Sequence, residues 1–169
     1  MDSITWGFIG TLIGTIVGAS ASIFTTKINN KNAIRIQEGI ERNERDERFR
    51  KFQRDNLLEL QDKLSNGMRL VARAYVKDLE NYKAASDWTS SNLSSELNNE
   101  IAVCFREVSI RTERVDDDKL RDEIAQFRRK MTECLIAKSF ESANERMADL
   151  TLIFDQKMPK LGVALRENY

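Results

Sequence analysis

The chain has 169 residues, with 27 basic and 27 acidic side chains and hence no net charge at neutral pH. This balance gives no overall field that would attract nucleic acid or an acidic substrate. The sequence contains no histidine, which removes the commonest general base, the usual metal ligand and any histidine-based pH switch.

The first predicted element is an uncharged, largely apolar stretch from Ile4 to Phe24. About 21 residues at roughly 1.5 Å each make a helix of about 31 Å, which matches the hydrocarbon core of a bilayer. We therefore predict a transmembrane anchor over residues 1–26. Lys27, Lys31 and Arg35 follow the span, and basic flanks stay in the cytoplasm. We expect a single-pass protein of the inner (plasma) membrane with a cytoplasmic C-terminal domain.

A cleaved signal peptide is another interpretation of this stretch, because Ala19, Ser20 and Ala21 have the form of a cleavage site. However, the start of the chain carries Asp2 and no basic residue, and the apolar stretch is long for a signal. We favour an uncleaved anchor.

Small residues occupy one side of this predicted helix. At about 100° per residue they fall within an arc of roughly 140°, and bulky apolar residues take the remainder. The exceptions are Ile4, which lies on the small side, and Ser20, which lies on the bulky side. The predicted helix-packing interface consists of Gly7, Gly10, Gly14, Gly18 and Ser22. Such a face lets two backbones approach closely, which predicts association with a second helix, most simply another copy. The alternative is a plain anchor, since glycine is frequent in transmembrane helices.

Residues 27–56 are predicted to form a charged helical stalk that acts as a rigid spacer. Acid-to-base pairs at i, i+4 each support a helix by about 0.2–0.5 kcal/mol. Five occur here: Glu38–Arg42, Glu41–Arg45, Glu44–Arg48, Asp46–Arg50 and Glu47–Lys51. The interleaved acids argue against a strip that binds nucleic acid or anionic lipid.

A weak apolar edge lies in the part of the stalk nearer the membrane, at Ile28, Ala33, Ile36 and Ile40. It would continue a coiled coil begun by the glycine face, but it is too short to assign an oligomer.

Residues 57–169 are predicted to form an antiparallel helical bundle, because apolar stripes at helical spacing alternate with short polar breaks. The first stripe continues the stalk helix and has Gly67 at a close crossing; it consists of Leu57, Leu60, Leu64, Met68, Val71, Tyr75, Leu79 and Tyr82. The predicted breaks are Ser86–Asn92, Asp116–Asp118 and Ser139–Ser142. Pro159 is expected to kink or end the fourth helix.

No residue pattern in the bundle predicts chemistry. Cys104 and Cys134 lie far apart in sequence, which favours two small core residues in a reducing compartment over a redox or zinc motif. The acids at 116–118 fit a helix cap better than a cation site. We expect no cofactor, no metal, no small-molecule substrate, no nucleic acid and no enzymatic activity.

The glycine-rich span is followed by an Arg/Glu-dense stretch, Glu41-Arg42-Asn43-Glu44-Arg45-Asp46-Glu47-Arg48-Phe49-Arg50, and then by a small bundle. In this organisation the chain resembles a loose group of uncharacterised bacterial single-pass membrane proteins with a cytoplasmic helical domain. The resemblance implies an anchored all-α protein, and it brings no activity, site residue or partner.

Two functions fit these observations. The first is a membrane-tethered interaction or scaffold module that self-associates or binds another membrane protein at the cytoplasmic face. The second is a membrane-active effector, in which glycine-striped spans assemble into a pore or lesion. A membrane-bound enzyme is disfavoured by the missing chemistry.

Overall fold

The protein is all-α, as the sequence predicts. The computed structural model describes residues 3–85, 88 and 93–169, with the side chains of 3–9 and 85 outside that description. Within those residues there are four helices and no strand: α1 (Ser3–Ala85), α2 (Ser95–Thr112), α3 (Asp118–Leu135) and α4 (Phe140–Glu167). The chain divides into two compact units, Met1–Arg48 and Phe49–Tyr169.

The first unit is the N-terminal part of α1. The prediction that the stalk runs into the first bundle helix without a break is confirmed, because α1 covers both. Two of the predicted i, i+4 ion pairs form, with nitrogen–oxygen distances of 3.9 Å in Glu41–Arg45 and 3.8 Å in Glu44–Arg48. These side chains are exposed to solvent, so each pair contributes only about 0.3–0.5 kcal/mol to local helix stability.

In the second unit, α2 runs antiparallel to α1. Ion pairs between the two helices join Glu59 to Arg111, Lys63 to Glu107, and Arg73 to Glu100. The residue numbers rise along α1 while they fall along α2, which is the signature of antiparallel packing.

The pairing of α3 with α4 is also antiparallel. The Lys157 ammonium lies 2.9 Å from the Glu123 carboxylate, while Arg146 donates to the carbonyl oxygen of Glu133 at 2.6 Å. Only residues 113–117 separate α2 from α3, and only 136–139 separate α3 from α4. Such short connections force neighbouring helices to run in opposite directions, so the predicted antiparallel bundle is confirmed.

The core lies between the four helices of the second unit. The largest fully buried side chains are Phe127, Leu60, Leu64, Ile124, Met131, Leu150, Leu161, Val71 and Val108. Each such side chain contributes about 1.5–3 kcal/mol through removal of apolar surface from water. The core therefore draws on all four helices.

The predicted stripe of α1 is only partly the buried face. Leu57, Leu60, Leu64 and Val71 are buried as predicted, but Tyr75, Leu79 and Tyr82 are half-buried. Toward the end of α1 the buried positions are instead Leu70, Ala74 and Asp78. The tyrosines pack against other aromatic rings: Tyr82 stacks on Phe140 at 5.1 Å, and both tyrosines contact Trp88.

Two of the three helix starts lie in predicted breaks, while the cap of α2, Ser94, lies beyond the predicted run 86–92. Ser94, Asp117 and Ser139 accept hydrogen bonds from backbone N–H groups of the first turns of α2, α3 and α4. The interpretation of the 116–118 acids as a cap, and of Ser139 as the start of α4, is thus confirmed. The predicted turn Ser86–Asn92 lies outside the described residues except for Trp88, whose indole N–H donates to the Ala137 carbonyl oxygen at 2.9 Å.

Pro159 was expected to kink or end the fourth helix. An end at this position is wrong, because α4 continues to Glu167 with Pro159 inside it, while a kink there stays a prediction. A proline in a helix costs roughly 3 kcal/mol through a lost hydrogen bond and a clash one turn back. The continuation beyond it places Leu161 in the core, 1% exposed, with Leu165 packed alongside. Burial of these residues offsets the local cost.

Two buried amides fasten α1 to the last turn of α2 and to the connection that follows it. Gln53 donates to the Arg114 carbonyl oxygen at 3.0 Å and accepts from the Asp116 N–H at 3.2 Å. Asn56 donates to the Arg111 carbonyl oxygen at 3.0 Å. Each hydrogen bond contributes about 0.5–1.5 kcal/mol, while the buried Oδ1 of Asn56 has no hydrogen-bond partner among the described residues.

Gly67 marks a close crossing, as predicted. A Cβ at this position would lie 3.4 Å from the sulfur of Met131 and 3.6 Å from that of Cys104. These are ordinary van der Waals distances, so there is room for one methyl group and for little more.

We predict opposite effects for two substitutions at this glycine. Gly67→Ala should raise the free energy of unfolding by up to about 1 kcal/mol, because alanine is the better helix former. Gly67→Val should lower it by about 1–3 kcal/mol, because the extra methyls overpack the crossing. The measurement is urea unfolding of the full chain in detergent.

The matched control is Gly39, where an added Cβ would meet nothing within 4 Å. Gly39→Val should lack the overpacking penalty. Equal losses from valine at both positions would contradict the close crossing.

Candidate helix-packing interface

The predicted helix-packing interface lies on the N-terminal part of α1. A Cβ placed on Gly10, Gly14 or Gly18 would meet no atom within 4 Å, and Ser22 is exposed. Gly7 belongs to α1, but its surroundings lie outside the described residues. The structure therefore places the described members on one helix and leaves their face open.

Hydroxyl groups in this part of α1 bond to the helix itself. Thr15, Ser20 and Thr25 each donate to the carbonyl oxygen four residues earlier, at 2.6, 2.8 and 2.9 Å. A hydroxyl bonded in this way carries no unsatisfied donor into an apolar medium. The polar residues of the stretch are therefore compatible with a lipid environment.

Bulky apolar side chains on the same stretch are exposed, from Leu12 at 53% to Phe24 at 69%. In water such a surface would be costly, at about 25 cal/mol per Å². By length and composition, α1 is the one helix in the described part of the chain that is long and apolar enough to cross a membrane.

The bundle contains two thiols, and both are buried and free. Burial raises the pKa of the Cys134 thiol to about 11, and it also raises the pKa of the Cys104 thiol. The thiolate is the reactive form of cysteine, so neither residue is poised as a nucleophile at neutral pH. The prediction that both are small core residues is confirmed by their burial.

No metal centre is built from the described residues, where no group of three or more acidic or cysteine side chains could hold a metal ion. In the acidic run 116–118, Asp117 caps α3 and Asp118 forms an ion pair with Arg121.

The most perturbed carboxyl with cationic partners is Glu123 on α3. Hydrogen bonds from Lys160 and Lys157, at 2.8 and 2.9 Å, lower the pKa of Glu123 to about 2. Both lysines belong to α4, and the Glu123 side chain is 16% exposed. This triad ties α3 to α4.

Asp78 was not singled out by sequence reasoning, although it follows Val71 and Ala74 on the buried face of α1. It is 6% exposed, and its Oδ1 has no hydrogen-bond partner among the described residues. Burial raises the pKa of this carboxyl. Asp78 has helical spacing from the buried Val71 and Ala74, and this spacing is the only sequence signal for its burial. An aspartate is normally assigned to the surface, so the signal was missed.

A cleft of about 510 Å³ lies between α1 and α2. Its apolar surface comes from Ala72, Val76 and Leu97, and Arg73 and Lys77 line its edge. These two bases form ion pairs at 3.0 and 3.2 Å with glutamates of the same unit. The cleft therefore presents apolar surface and engaged charges, which is not the convergent set of polar groups typical of an active site.

Comparison with known proteins finds no family model, no curated protein and no solved structure that matches this chain.

The two perturbed carboxyls predict opposite responses to substitution. Asp78→Asn should raise the free energy of unfolding at pH 7 by about 1 kcal/mol, because it removes a buried charge without full hydrogen bonding. The folded-state pKa of Asp78 is raised, so the cost is present above that pKa and disappears below about pH 3.8, the ordinary value. Urea unfolding at pH 7 and pH 3.5 measures both.

Glu123→Gln is the contrasting variant. The folded-state pKa of Glu123 is lowered to about 2 from an ordinary 4.5, so its stabilisation is present above pH 4.5 and is lost as the pH falls toward 2. The variant should be less stable than the parent at pH 7 and similar to it near pH 2. A loss of stability in both variants at pH 7 would contradict the assignment for Asp78.

Proposed function

We propose that this protein is a membrane-tethered, non-enzymatic helical module that self-associates, or binds another membrane protein, through the glycine face of α1. The C-terminal bundle serves as an interaction or scaffold domain at the cytoplasmic face of the inner (plasma) membrane. The proposal extends the single-pass organisation that the sequence predicts.

One observation carries the proposal: the open face at Gly10, Gly14 and Gly18. A glycine costs about 1 kcal/mol relative to alanine in a helix, and at these three positions no packing by the described residues recovers that cost. Gly67, in contrast, has Met131 and Cys104 against it. A second helix packed on the open face would recover the cost through close backbone approach.

The flanking charges support the orientation. Lys27, Lys31 and Arg35 follow the apolar stretch, and Glu38 is the first acid after it. An excess of basic residues beside a span is retained on the cytoplasmic side. The bundle, which follows these residues, is then cytoplasmic, where its two free thiols remain reduced.

The non-enzymatic role is supported by the state of the reactive groups in the bundle. Cys104 and Cys134 are buried thiols with raised pKa values. Glu123 is bound by two lysines, and Asp78 is buried in the core.

Substitution of the glycine face tests the proposal directly. Gly14→Ile should weaken association of the full chain in a bacterial membrane two-hybrid assay by about tenfold, or ~1.4 kcal/mol, because the side chain keeps the backbones apart. Leu12→Ile changes a residue on the bulky side and should have no effect. Equal signals from both variants would contradict glycine-mediated packing.

Membrane potential distinguishes this tether from a membrane-active effector that would use the same face to assemble a pore. Expression of the full chain in a bacterium with a potential-sensitive dye should cause no depolarisation, because a tether leaves the bilayer sealed. Rapid depolarisation that persists after deletion of 57–169 would instead establish the pore-forming role. Immunoblotting of the membrane fraction checks that the full chain and the deletion variant are present in equal amounts.

A further inference from the structure

Charged side chains are confined to one side of α1 just beyond the apolar stretch. At about 100° per residue, every charge from 26 to 43 lies within an arc of about 120°. The six residues are Lys27, Lys31, Arg35, Glu38, Glu41 and Arg42. This arc does not overlap the arc of the glycine face, so an uncharged side continues along the helix from the glycines to Asn43.

The uncharged side fits a heptad pattern. With Thr26 at position a, the core positions a and d over two and a half heptads are Thr26, Asn29, Ala33, Ile36, Ile40 and Asn43. The flanking e and g positions are also uncharged, namely Asn30, Asn32, Gln37 and Gly39. All six charges then fall at b, c or f, the positions that face solvent in a coiled coil.

The side chains of this uncharged side have no core to join within the first unit. Ile36 is 64% exposed and Ile40 is 53% exposed. A Cβ on Gly39 would meet nothing within 4 Å. An exposed apolar and amide surface of this kind is stabilised when another helix covers it.

The chemistry of the surface suits a second copy of the chain as the occupant. Copies inserted in one membrane with the same orientation lie parallel, so each a or d residue meets its own equivalent. A charge there would repel itself, whereas an asparagine amide both donates and accepts and therefore pairs with an identical group. The charge-free a, d, e and g positions meet this condition from 26 to 43.

We propose that residues 26–43 of α1 form a parallel, in-register contact with the same residues of a second copy, which continues the glycine face beyond the apolar span. The proposal rests on the self-association put forward above and identifies its partner and register. The contact ends at Asn43, because Glu44, Asp46 and Glu47 then occupy positions e, g and a and would place like charges together.

Complementary charges at one core position test the proposal. Full-length chains carrying Ile36→Glu or Ile36→Lys are expressed singly or together with two different tags and co-purified from detergent-solubilised membranes. Each variant alone should associate about tenfold more weakly, because like charges face each other. The mixture should recover association, because in-register copies place glutamate opposite lysine.

Ile34 supplies the matched control. It is also an exposed isoleucine, at 59%, but it lies at position b, about 160° from Ile36 around the helix. Ile34→Glu should leave association unchanged. Failure of the Ile36 mixture to recover, or equal effects at both isoleucines, would overturn the proposed register.

Cysteine cross-linking provides a second measurement that requires no change in affinity. Ile36→Cys should form a disulfide-linked dimer in oxidised membranes faster than Ile34→Cys, while the buried native thiols stay unreactive. If Gly14→Ile abolishes association but the Ile36 variants have no effect, this register is wrong and the glycine face stands. If the Ile36 variants behave as expected but Gly14→Ile has no effect, the glycine contact is wrong.

Discussion

The second unit depends on one face of α1, the buried row that includes Leu57, Leu60, Leu64 and Val71. These residues form the apolar surface against which the shorter helices bury their own apolar faces. The close approach at Gly67, where Met131 and Cys104 contact the helix, allows side chains from two other helices to reach the same segment. Hydrophobic burial along this row, rather than any ion pair, is the main stabilising term in the bundle.

Hydrophobic burial is non-directional, and polar contacts add specific links between the helices. Gln53 and Asn56 hold the connection between α2 and α3, and the triad of Glu123 with its two lysines joins α3 to α4. Asp78 has the opposite effect, since its carboxyl is buried without a partner for Oδ1. A buried charge of this kind lowers stability at neutral pH, and the surrounding apolar packing outweighs its cost.

The first unit has no core of its own, and its helix is organised by faces. The glycines lie on one side of the apolar stretch. Beyond that stretch an uncharged side continues, while charges occupy the other side. Such a helix gains stability locally from ion pairs such as Glu41–Arg45 and otherwise from whatever covers its open face. This distribution is the basis of the association that we propose.

The sequence by itself determined the all-α class, the unbroken first helix and the caps of α3 and α4, because each depends on local spacing and backbone hydrogen bonding. The tertiary structure decided which side chains are buried where local rules conflict. α4 continues through Pro159 because Leu161 reaches the core, and Asp78 is buried where Tyr75 and Leu79 were expected. Apolar periodicity predicts that one face of a helix is buried. Which residues form the buried face at each point along the helix is decided by the packing of the neighbouring helices. The spacing of the glycines can be read from the sequence. Only the structure shows that no described residue packs against Gly10, Gly14 or Gly18.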